Sequence, residues 1–210
     1  MKLVLRLHTV SLKKGSKLLF ENLSLTAESG EIVEIIGPNG CGKTSLLKMM
    51  AGHLHPMKGT MSFSASSPSQ KPLYLSLRPG FDEELTVCEN LQYLCALERR
   101  HAPDFSKALH RMNIAPFKDQ LFRYLSAGQR QRAHLARLLL LNRPCWLLDE
   151  PMTSLDSAGK QIFGEICKDH QKEGGIIVIA SPEPLNWGRI LPLKEYHAPF
   201  PDALNAWSDL

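Results

Sequence analysis

The segment from residue 31 to residue 50 constrains the fold of this chain more than any other. The apolar run at 31–36 indicates a short buried strand, and residues 45–50 have helical spacing. Between them, residues 37–44 read Gly-Pro-Asn-Gly-Cys-Gly-Lys-Thr, which fits the pattern Gly-x-x-x-x-Gly-Lys-[Ser/Thr] at every fixed position. Such a turn presents backbone N–H groups and the positive end of a helix to one small volume. The sequence therefore predicts a binding site for a nucleoside triphosphate.

The fixed positions of this loop have chemical roles. Its glycines allow backbone conformations and a close approach that a side chain would block. Lys43 can reach the β- and γ-phosphates, and the hydroxyl of Thr44 can ligate Mg²⁺. The alternative is a glycine turn that matches the pattern by chance. The expected nucleotide-binding residues are Gly37, Pro38, Asn39, Gly40, Cys41, Gly42, Lys43, Thr44 and Ser45.

A second apolar strand, at residues 145–148, ends in the carboxylates of Asp149 and Glu150. At the carboxyl edge of a parallel sheet, that end points into the ligand crevice. We expect Asp149 to hold Mg²⁺ together with Thr44. Glu150 and Lys43 are the expected catalytic residues, with Glu150 as the general base toward the attacking water. The alternative is an ordinary strand followed by an acidic turn.

The size and composition of the chain are those of one globular domain, residues 1–210. Its formal net charge of +4 comes from basic residues spread along the chain, so no nucleic-acid partner is expected. The five cysteines form no Cys-x-x-Cys pair, which predicts reduced core thiols. No apolar stretch reaches the roughly 18 residues that a spanning helix needs, so we expect membrane association only through a partner.

The pattern along the chain predicts an α/β fold in which a mostly parallel sheet with flanking helices carries an N-terminal antiparallel part. A helical lobe at about residues 78–142 interrupts this core. Its last helix, at 128–141, shows Arg and His on one face and Leu and Ala on the other. A turn is expected at 13–16 and a helix at 158–170, and the last thirty residues are poorly patterned. The other expected strands are 3–7, 17–27, 59–64, 72–77 and 176–180.

Residues 125–129 read Leu-Ser-Ala-Gly-Gln and precede a basic helix. Alone, they indicate a helix cap in which Ser126 supplies the capping oxygen. Together with Ser-Leu-Asp at 154–156, they resemble the signature motif and the D-loop of the ATP-binding-cassette (ABC) ATPases. The glycine-rich loop, signature, Asp-Glu and Ser-Leu-Asp elements occur in the order of that family, and the resemblance covers nearly the whole chain. It implies the P-loop NTPase fold, with ATP and Mg²⁺ as the cofactors.

In that family, two domains pair head to tail around two ATP molecules. The resemblance implies that Ser126 and Gly128 contact the γ-phosphate of the ATP held by a second copy of the subunit. A helix N-terminus suits this role because it offers N–H donors and a positive dipole end. Gln129 and Asp156 are further nucleotide-binding residues in this interpretation. It implies a homodimer that ATP closes and hydrolysis opens.

The short length, the helix start at 84–91 and the run 146–151 resemble one subfamily in particular, the ATP-binding subunits of the haem exporter of bacterial cytochrome c maturation. This implies a polytopic membrane subunit as partner and a place at the cytoplasmic face of the inner membrane. Phe81, Leu85 and Tyr93 are candidate contacts to that subunit, or ordinary packing. The alternatives are another small transporter, importers included, and a soluble ABC protein acting on nucleic acid or ribosomes or as a nucleotide switch.

Three features of the family are absent or displaced. Pro182 occupies the position of the switch histidine, and the Q-loop glutamine expected near Leu77 or Arg78 is absent. The aromatic that stacks on adenine would fall near Lys14. Loss of one preorganised transition-state donor lowers a rate by about two to three orders of magnitude. Because Glu150 remains, we expect hydrolysis that is slow and dependent on a partner.

Overall fold

The secondary structure comes from a computed structural model that describes residues 3–65, 70–76, 80–98 and 105–196. The strands are β1 (Val4–Lys14), β2 (Lys17–Glu28), β3 (Ile32–Ile36), β4 (Lys58–Ser64), β5 (Leu73–Leu75), β6 (Cys145–Asp149), β7 (Ile176–Ser181) and β8 (Arg189–Pro192). The helices are α1 (Lys43–Met50), α2 (Val87–Leu97), α3 (Phe105–Arg111), α4 (Ala127–Leu141) and α5 (Ser157–Lys172). Short 3₁₀ turns lie at Ala115–Phe117, Phe122–Tyr124 and Leu193–Tyr196.

Within these ranges the strands form an antiparallel sheet of order β2-β1-β4 and a parallel sheet of order β5-β6-β7-β3-β8. The parallel strands are apolar nearly throughout because both of their faces are covered. On β6, Trp146 and Leu148 pack on the side of α2–α5, whereas Cys145 and Leu147 pack on the side of α1 and the antiparallel sheet. The predicted α/β fold with an N-terminal antiparallel part is therefore confirmed.

The first strand is longer than the sequence predicted. The expected strand at 3–7 continues to Lys14, and the turn is narrower than 13–16 because Lys13 and Lys14 pair with β2. The pairing register of β1 shifts between Leu7 and Val10, and Thr9 has a positive φ of 46°. Such an irregularity adds residues to one strand and breaks the alternation of buried and exposed side chains. That break concealed the second half of β1 in the sequence.

Helix α4 begins within one residue of the predicted start, and its Arg and His face is not a surface face throughout. Arg132 and His134 are buried. Each has a partner that offsets part of the cost of its burial. Arg132 forms an ion pair with Asp156, and the His134 ring bonds the backbone carbonyl of Ser76. Buried polar side chains of this kind cannot be separated from surface ones by periodicity alone.

The poorly patterned C-terminal stretch contains a strand that the sequence analysis missed. β8 has only four residues, and it pairs in parallel with β3 at the edge of the sheet. Leu77 and Arg78, named for the absent Q-loop glutamine, lie outside the described residues. All five cysteines lie inside them, none of them in a disulfide, and Cys88 alone of the five is not buried. No helix in the described ranges is both long and apolar enough to cross a membrane.

Candidate functional site

The glycine-rich loop joins β3 to α1 in a conformation that requires glycine. Gly42 caps α1 with a φ of 107°, and Gly40 has a φ of 80°. A Cβ at Gly37 would lie 2.7 Å from the Sγ of Cys41. As the N-cap residue, Gly42 makes no side-chain hydrogen bond to the first turn of α1. The N–H groups at this helix start are therefore not capped by the N-cap side chain and are suited to bind an anion.

Lys43 is the first residue of α1, and its side chain folds back over the loop. Its Nζ donates to the backbone oxygens of Gly37 at 2.6 Å and of Pro38 at 3.2 Å, and the residue is only 5% exposed. Thr44 is exposed beside it, as is the loop surface at residues 38–40. The ammonium and the hydroxyl expected to meet phosphate and Mg²⁺ thus lie next to accessible backbone.

Pairing across β7 places the two carboxylates at the same edge of the sheet as the loop. Ile35 of β3 pairs with Ala180 of β7, and Ala180 pairs with Asp149 of β6. Since neighbouring strands lie about 4.8 Å apart, the Cα atoms of Ile35 and Asp149 lie about 10 Å apart. The glycine-rich loop begins two residues after Ile35. Sequence reasoning therefore identified two strand ends that the topology brings together.

Asp149 is almost fully buried, with 6% of its surface exposed. The hydroxyl of Tyr74 donates to its carboxylate over a long 3.4 Å. Burial and the negative charge of Asp149 raise the pKa of Tyr74, so this phenol stays protonated and remains a donor. A carboxylate offers about four acceptor positions. One weak bond from Tyr74 leaves Asp149 able to ligate a cation.

Glu150 follows β6 with a backbone conformation unusual for glutamate. Its φ is 49°, and its N–H donates to the carbonyl of Ala180 at 2.9 Å. Strain of this kind is concentrated at functional sites. Glu150 lines a cavity of about 250 Å³ whose other walls include Met152, Pro182 and Leu185. Pro182, which the sequence analysis assigned to the position of the switch histidine, is thus close to Glu150 and has no side-chain donor.

The signature segment forms a complete capping box at the start of α4. The hydroxyl of Ser126 accepts from the N–H of Gln129 at 3.2 Å, and Gln129 Oε1 accepts from the N–H of Ser126 at 2.8 Å. Gly128 faces the Ser-Leu-Asp turn, because a Cβ there would lie 3.1 Å from the backbone oxygen of Ser154. The structure therefore brings the signature and Ser-Leu-Asp elements of one chain together.

Asp156 has a clear role within the chain. It caps α5 by accepting from the N–H of Gly159 at 2.9 Å, and it pairs with Arg132 at 2.6 Å. The hydrogen bond from the backbone N–H of Gly159 and the guanidinium of Arg132 lower the pKa of Asp156. Its side chain still lines an open cavity of about 340 Å³ together with Ser126 and Gly128. Its predicted contact with nucleotide remains a prediction.

Three residues around the site were missed by the sequence analysis. Tyr74 donates to Asp149, and the buried amide of Gln131 donates to the backbone oxygen of Pro151 at 2.8 Å. Glu34 is a fully buried carboxylate in the middle of β3. A charged residue within an apolar run was a visible signal for Glu34. The other two gave no signal, because their partners are distant in sequence.

Comparison with known proteins agrees with this geometry. Residues 20–153 match the family described as ABC transporter. The cytochrome c biogenesis ATP-binding export protein CcmA of Pseudomonas syringae pv. syringae is 39% identical over 184 residues, which cover 83% of this chain and 86% of that protein. The protein of the same name from Cupriavidus pinatubonensis is 37% identical over 205 residues, covering 93% and 91%.

A solved structure leads to the same family. The ATP-binding protein of an ABC transporter from Pyrococcus furiosus superposes with a TM-score of 0.82 at 27% identity, covering 93% of this chain and all of that one. The chain therefore belongs to the ABC transporter family. It is an ATP-binding ATPase subunit of that family and is similar to the CcmA proteins.

Proposed function

We propose that this chain is the ATP-hydrolysing subunit of an exporter that serves cytochrome c maturation, with haem or a maturation factor as cargo. The names of the CcmA relatives support the exporter role and the pathway. In this proposal residues 1–210 form one ABC domain with a helical lobe at about 78–142. It lies at the cytoplasmic face of the inner membrane through a polytopic membrane subunit.

The catalytic part of this proposal rests on the pairing of adjacent strands, in which Ile35 pairs with Ala180 and Ala180 with Asp149. This pairing supports a site in which the loop at 37–45 holds the ATP phosphates, with Lys43 bound to the β- and γ-phosphates. Glu150 then accepts a proton from a water in line with the γ-phosphate. The negative charge that develops on the phosphate oxygens is stabilised by Lys43 and by the amides at the start of α1.

The oxygen groups present fit Mg²⁺. This cation prefers one or two carboxylates together with hydroxyl, phosphate and water oxygens. Asp149 is buried with acceptor capacity to spare, and the hydroxyl of Thr44 is exposed at the start of α1. These two residues would hold the ion, which when bound neutralises charge on the phosphates.

A head-to-tail homodimer completes the proposed site. Ser126, Gly128 and Gln129 of one copy would contact the γ-phosphate on the loop of the other, with Asp156 beside them. Support comes from the open cavity at the start of α4, which these residues line. ATP that bridges two copies binds the closed dimer more tightly than the open one, and this difference drives the cycle.

The catalytic proposal is tested by phosphate release from the detergent-solubilised complex. Glu150→Gln removes the base, and we expect a loss of about two orders of magnitude or more. Glu183→Gln is the matched control, because Glu183 is an exposed glutamate in the wall of the same cavity. A wild-type complex no faster than its Glu150→Gln variant would refute the proposal.

The assembly is tested separately. The Glu150→Gln variant should form an ATP-dependent dimer in size-exclusion chromatography with light scattering, and Lys43→Ala should not. Affinity purification from native membranes should recover polytopic subunits of a cytochrome c maturation exporter. A different permease would exclude the cytochrome c assignment, and recovery from the soluble fraction alone would exclude an exporter subunit.

A further inference from the structure

Glu34 is a charged residue in a place that rarely holds one. It lies in the middle of β3 with 0% of its surface exposed, paired through its backbone with Ile179 on one side and Ile190 on the other. A carboxylate in such a position is costly unless hydrogen bonds replace its water. A leucine or alanine would fill a parallel sheet without that cost. The carboxylate of Glu34 therefore requires hydrogen-bond donors within the fold.

What Glu34 holds is the backbone of the segment that joins β7 to β8. Its Oε2 accepts from the N–H of Leu185 at 2.7 Å. Its Oε1 accepts from the N–H of Trp187 at 2.5 Å and from that of Gly188 at 2.9 Å. Bonds from N–H groups to an ionised carboxylate are about twice as strong as neutral ones. One side chain thus accepts from three backbone amides of the segment between the two strands.

The downstream half of this segment is packed as tightly as its bonds suggest. A Cβ at Gly188 would lie 2.1 Å from the backbone oxygen of Ile32, so Gly188 lies directly against β3. The indole of Trp187 covers Gly164 of α5, and its ring lies 5.8 Å from that of Phe163. The segment is therefore anchored to the glycine-loop strand on one side and to α5 on the other.

The upstream half of the segment, residues 181–185, faces the catalytic end of β6. It forms one wall of the cavity whose opposite wall is Glu150 and the turn that follows it. Ser181 Oγ donates to the backbone oxygen of Glu183 at 2.7 Å, which shapes the start of this wall. Leu185 belongs both to the wall and to the set of amides bound by Glu34. The anchor and the cavity therefore share a residue.

We propose that Glu34 is a positioning residue for hydrolysis, which keeps the wall at 181–185 fixed opposite Glu150. This inference rests on the proposed function, because it assigns to the wall a role beside the attacking water. At Pro182 the wall has no side chain that could bond the reacting groups. Its contribution is shape, and shape at this position depends on the carboxylate that fixes the backbone behind it.

The test compares variants of the intact complex with its membrane subunits by steady-state ATPase kinetics. Glu34→Gln keeps the size of the side chain but turns one acceptor into a donor that faces an N–H. Since a misplacement of about 1 Å near a reacting group can lower a rate about 100-fold, we expect kcat to fall by about 10- to 100-fold. The KM for ATP should stay within about twofold, because the loop at 37–45 is untouched.

Two further variants separate positioning from loss of stability. Glu34→Asp keeps the charge but is one methylene too short to reach both Leu185 and Gly188, so kcat should fall in the same way even where the glutamine variant does not fold. Ile35→Val trims the adjacent buried residue and should leave kcat per folded complex unchanged. Hydrogen exchange should accelerate at the amides of Leu185, Trp187 and Gly188 in the Glu34 variants alone.

The possible outcomes are distinct. A wild-type kcat in both Glu34 variants overturns the inference, and so does a loss of activity that Ile35→Val reproduces at an equal folded fraction. If the wild-type complex is no faster than its Glu150→Gln variant, the proposed function fails, and this role for Glu34 fails with it. Faster exchange with normal kcat leaves Glu34 a structural anchor and refutes its role in hydrolysis.

Discussion

The starts of α1 and α4 solve the same physical problem in opposite ways. Every helix begins with N–H groups that have no partner inside the helix. At α4, Ser126 and Gln129 satisfy each other's backbone in a closed capping box. At α1, Gly42 supplies a left-handed cap without any side-chain bond. One helix start is complete by itself, and the other is arranged to receive an external anion.

This difference teaches where binding energy and specificity reside. The start of α1 is preorganised by glycines and by Lys43, so in the proposed site we expect nucleotide affinity to be a property of one chain. The start of α4 needs no ligand to be stable, so in the proposed dimer we expect its contribution to nucleotide binding to depend on a second copy. Four substitutions test this comparison, from the largest expected effect to the smallest.

Lys43→Ala should abolish tight binding of ATP at the start of α1. The side chain holds the oxygens of Gly37 and Pro38, and in the proposed complex it holds two phosphates. Because bonds to charged groups contribute about 1.5–3 kcal/mol each, the Kd for ATP should rise by about 1,000-fold. Isothermal titration calorimetry measures this change. Lys48→Ala, on the same helix, is the control, and an equal loss there would remove the special role of Lys43.

His134→Gln should change how the stability of α4 depends on pH. Burial and the nearby guanidinium of Arg137 lower the pKa of His134 to about 4. Below pH 6.5 the unfolded chain takes up a proton that the folded chain refuses until about pH 4. The free energy of unfolding therefore decreases as the pH drops from 6.5 to 4, by up to about 3 kcal/mol.

Glutamine can donate to the oxygen of Ser76 and accept from Arg137, so His134→Gln should remove the contribution of His134 to the pH dependence without unfolding the protein. The contribution of His170, whose pKa burial also lowers to about 4, should remain. Denaturant unfolding at pH 7 and pH 4.5 measures it. His110→Gln, an exposed site on α3, should leave the slope unchanged. A slope as steep in His134→Gln as in the wild type would show that His134 does not contribute to it.

Gly42→Ala should destabilise the chain and weaken ATP binding together. Alanine at a φ of 107° is strained, and its Cβ would lie 3.3 Å from that of Leu19. We expect a loss of about 1–2 kcal/mol in unfolding free energy. Gly174→Ala is a matched control, since its φ of 84° gives similar strain in open space far from the loop. The midpoint temperature of thermal unfolding should decrease in both variants, whereas the affinity for ATP should decrease only in Gly42→Ala.

Of the four substitutions, Ser126→Ala should have the smallest effect on the stability of the single chain. It should also weaken the formation of the proposed dimer. Loss of a capping serine lowers stability by about 1 kcal/mol. Thr86→Ala removes an equivalent capping box from α2 and serves as the control. ATP binding to the monomer should survive in both variants, whereas ATP-dependent dimer formation should weaken only in Ser126→Ala. Equal dimerisation in the two variants would argue against a role of Ser126 across the interface.

Much of the fold was predictable because local signals and global topology agree. The run at 31–50 specifies a strand, a turn and a helix, and the structure has them at 32–36 and 43–50. The cap at Ser126 was also visible, since capping chemistry acts over three residues. β8 was missed because four residues carry too little pattern. The second half of β1 was missed because an irregular register breaks the alternation.

The candidate site was predictable to the extent that its chemistry lies in contiguous motifs. The loop at 37–44 and the pair at 149–150 are motifs of this kind. The bonds from Tyr74 to Asp149 and from Gln131 to Pro151 join residues far apart in sequence, and neither partner indicates the other. Glu34 differs, because its charge inside an apolar strand signalled a buried partner although the identity of that partner required the structure.

The sheet order has a consequence for the chain during its synthesis. In the part of the chain that the structure describes, β3 pairs only with β7 and β8, which begin at residues 176 and 189. At about 5–20 residues per second, the ribosome delivers these partners on the order of ten seconds after β3. Throughout that interval the strand that leads into the nucleotide loop has two bare edges, and bare edges recruit other strands. The glycine-rich loop is thus synthesised early, whereas the strands that pair with β3 are synthesised last. The nascent chain is most exposed to aggregation before its final thirty residues emerge.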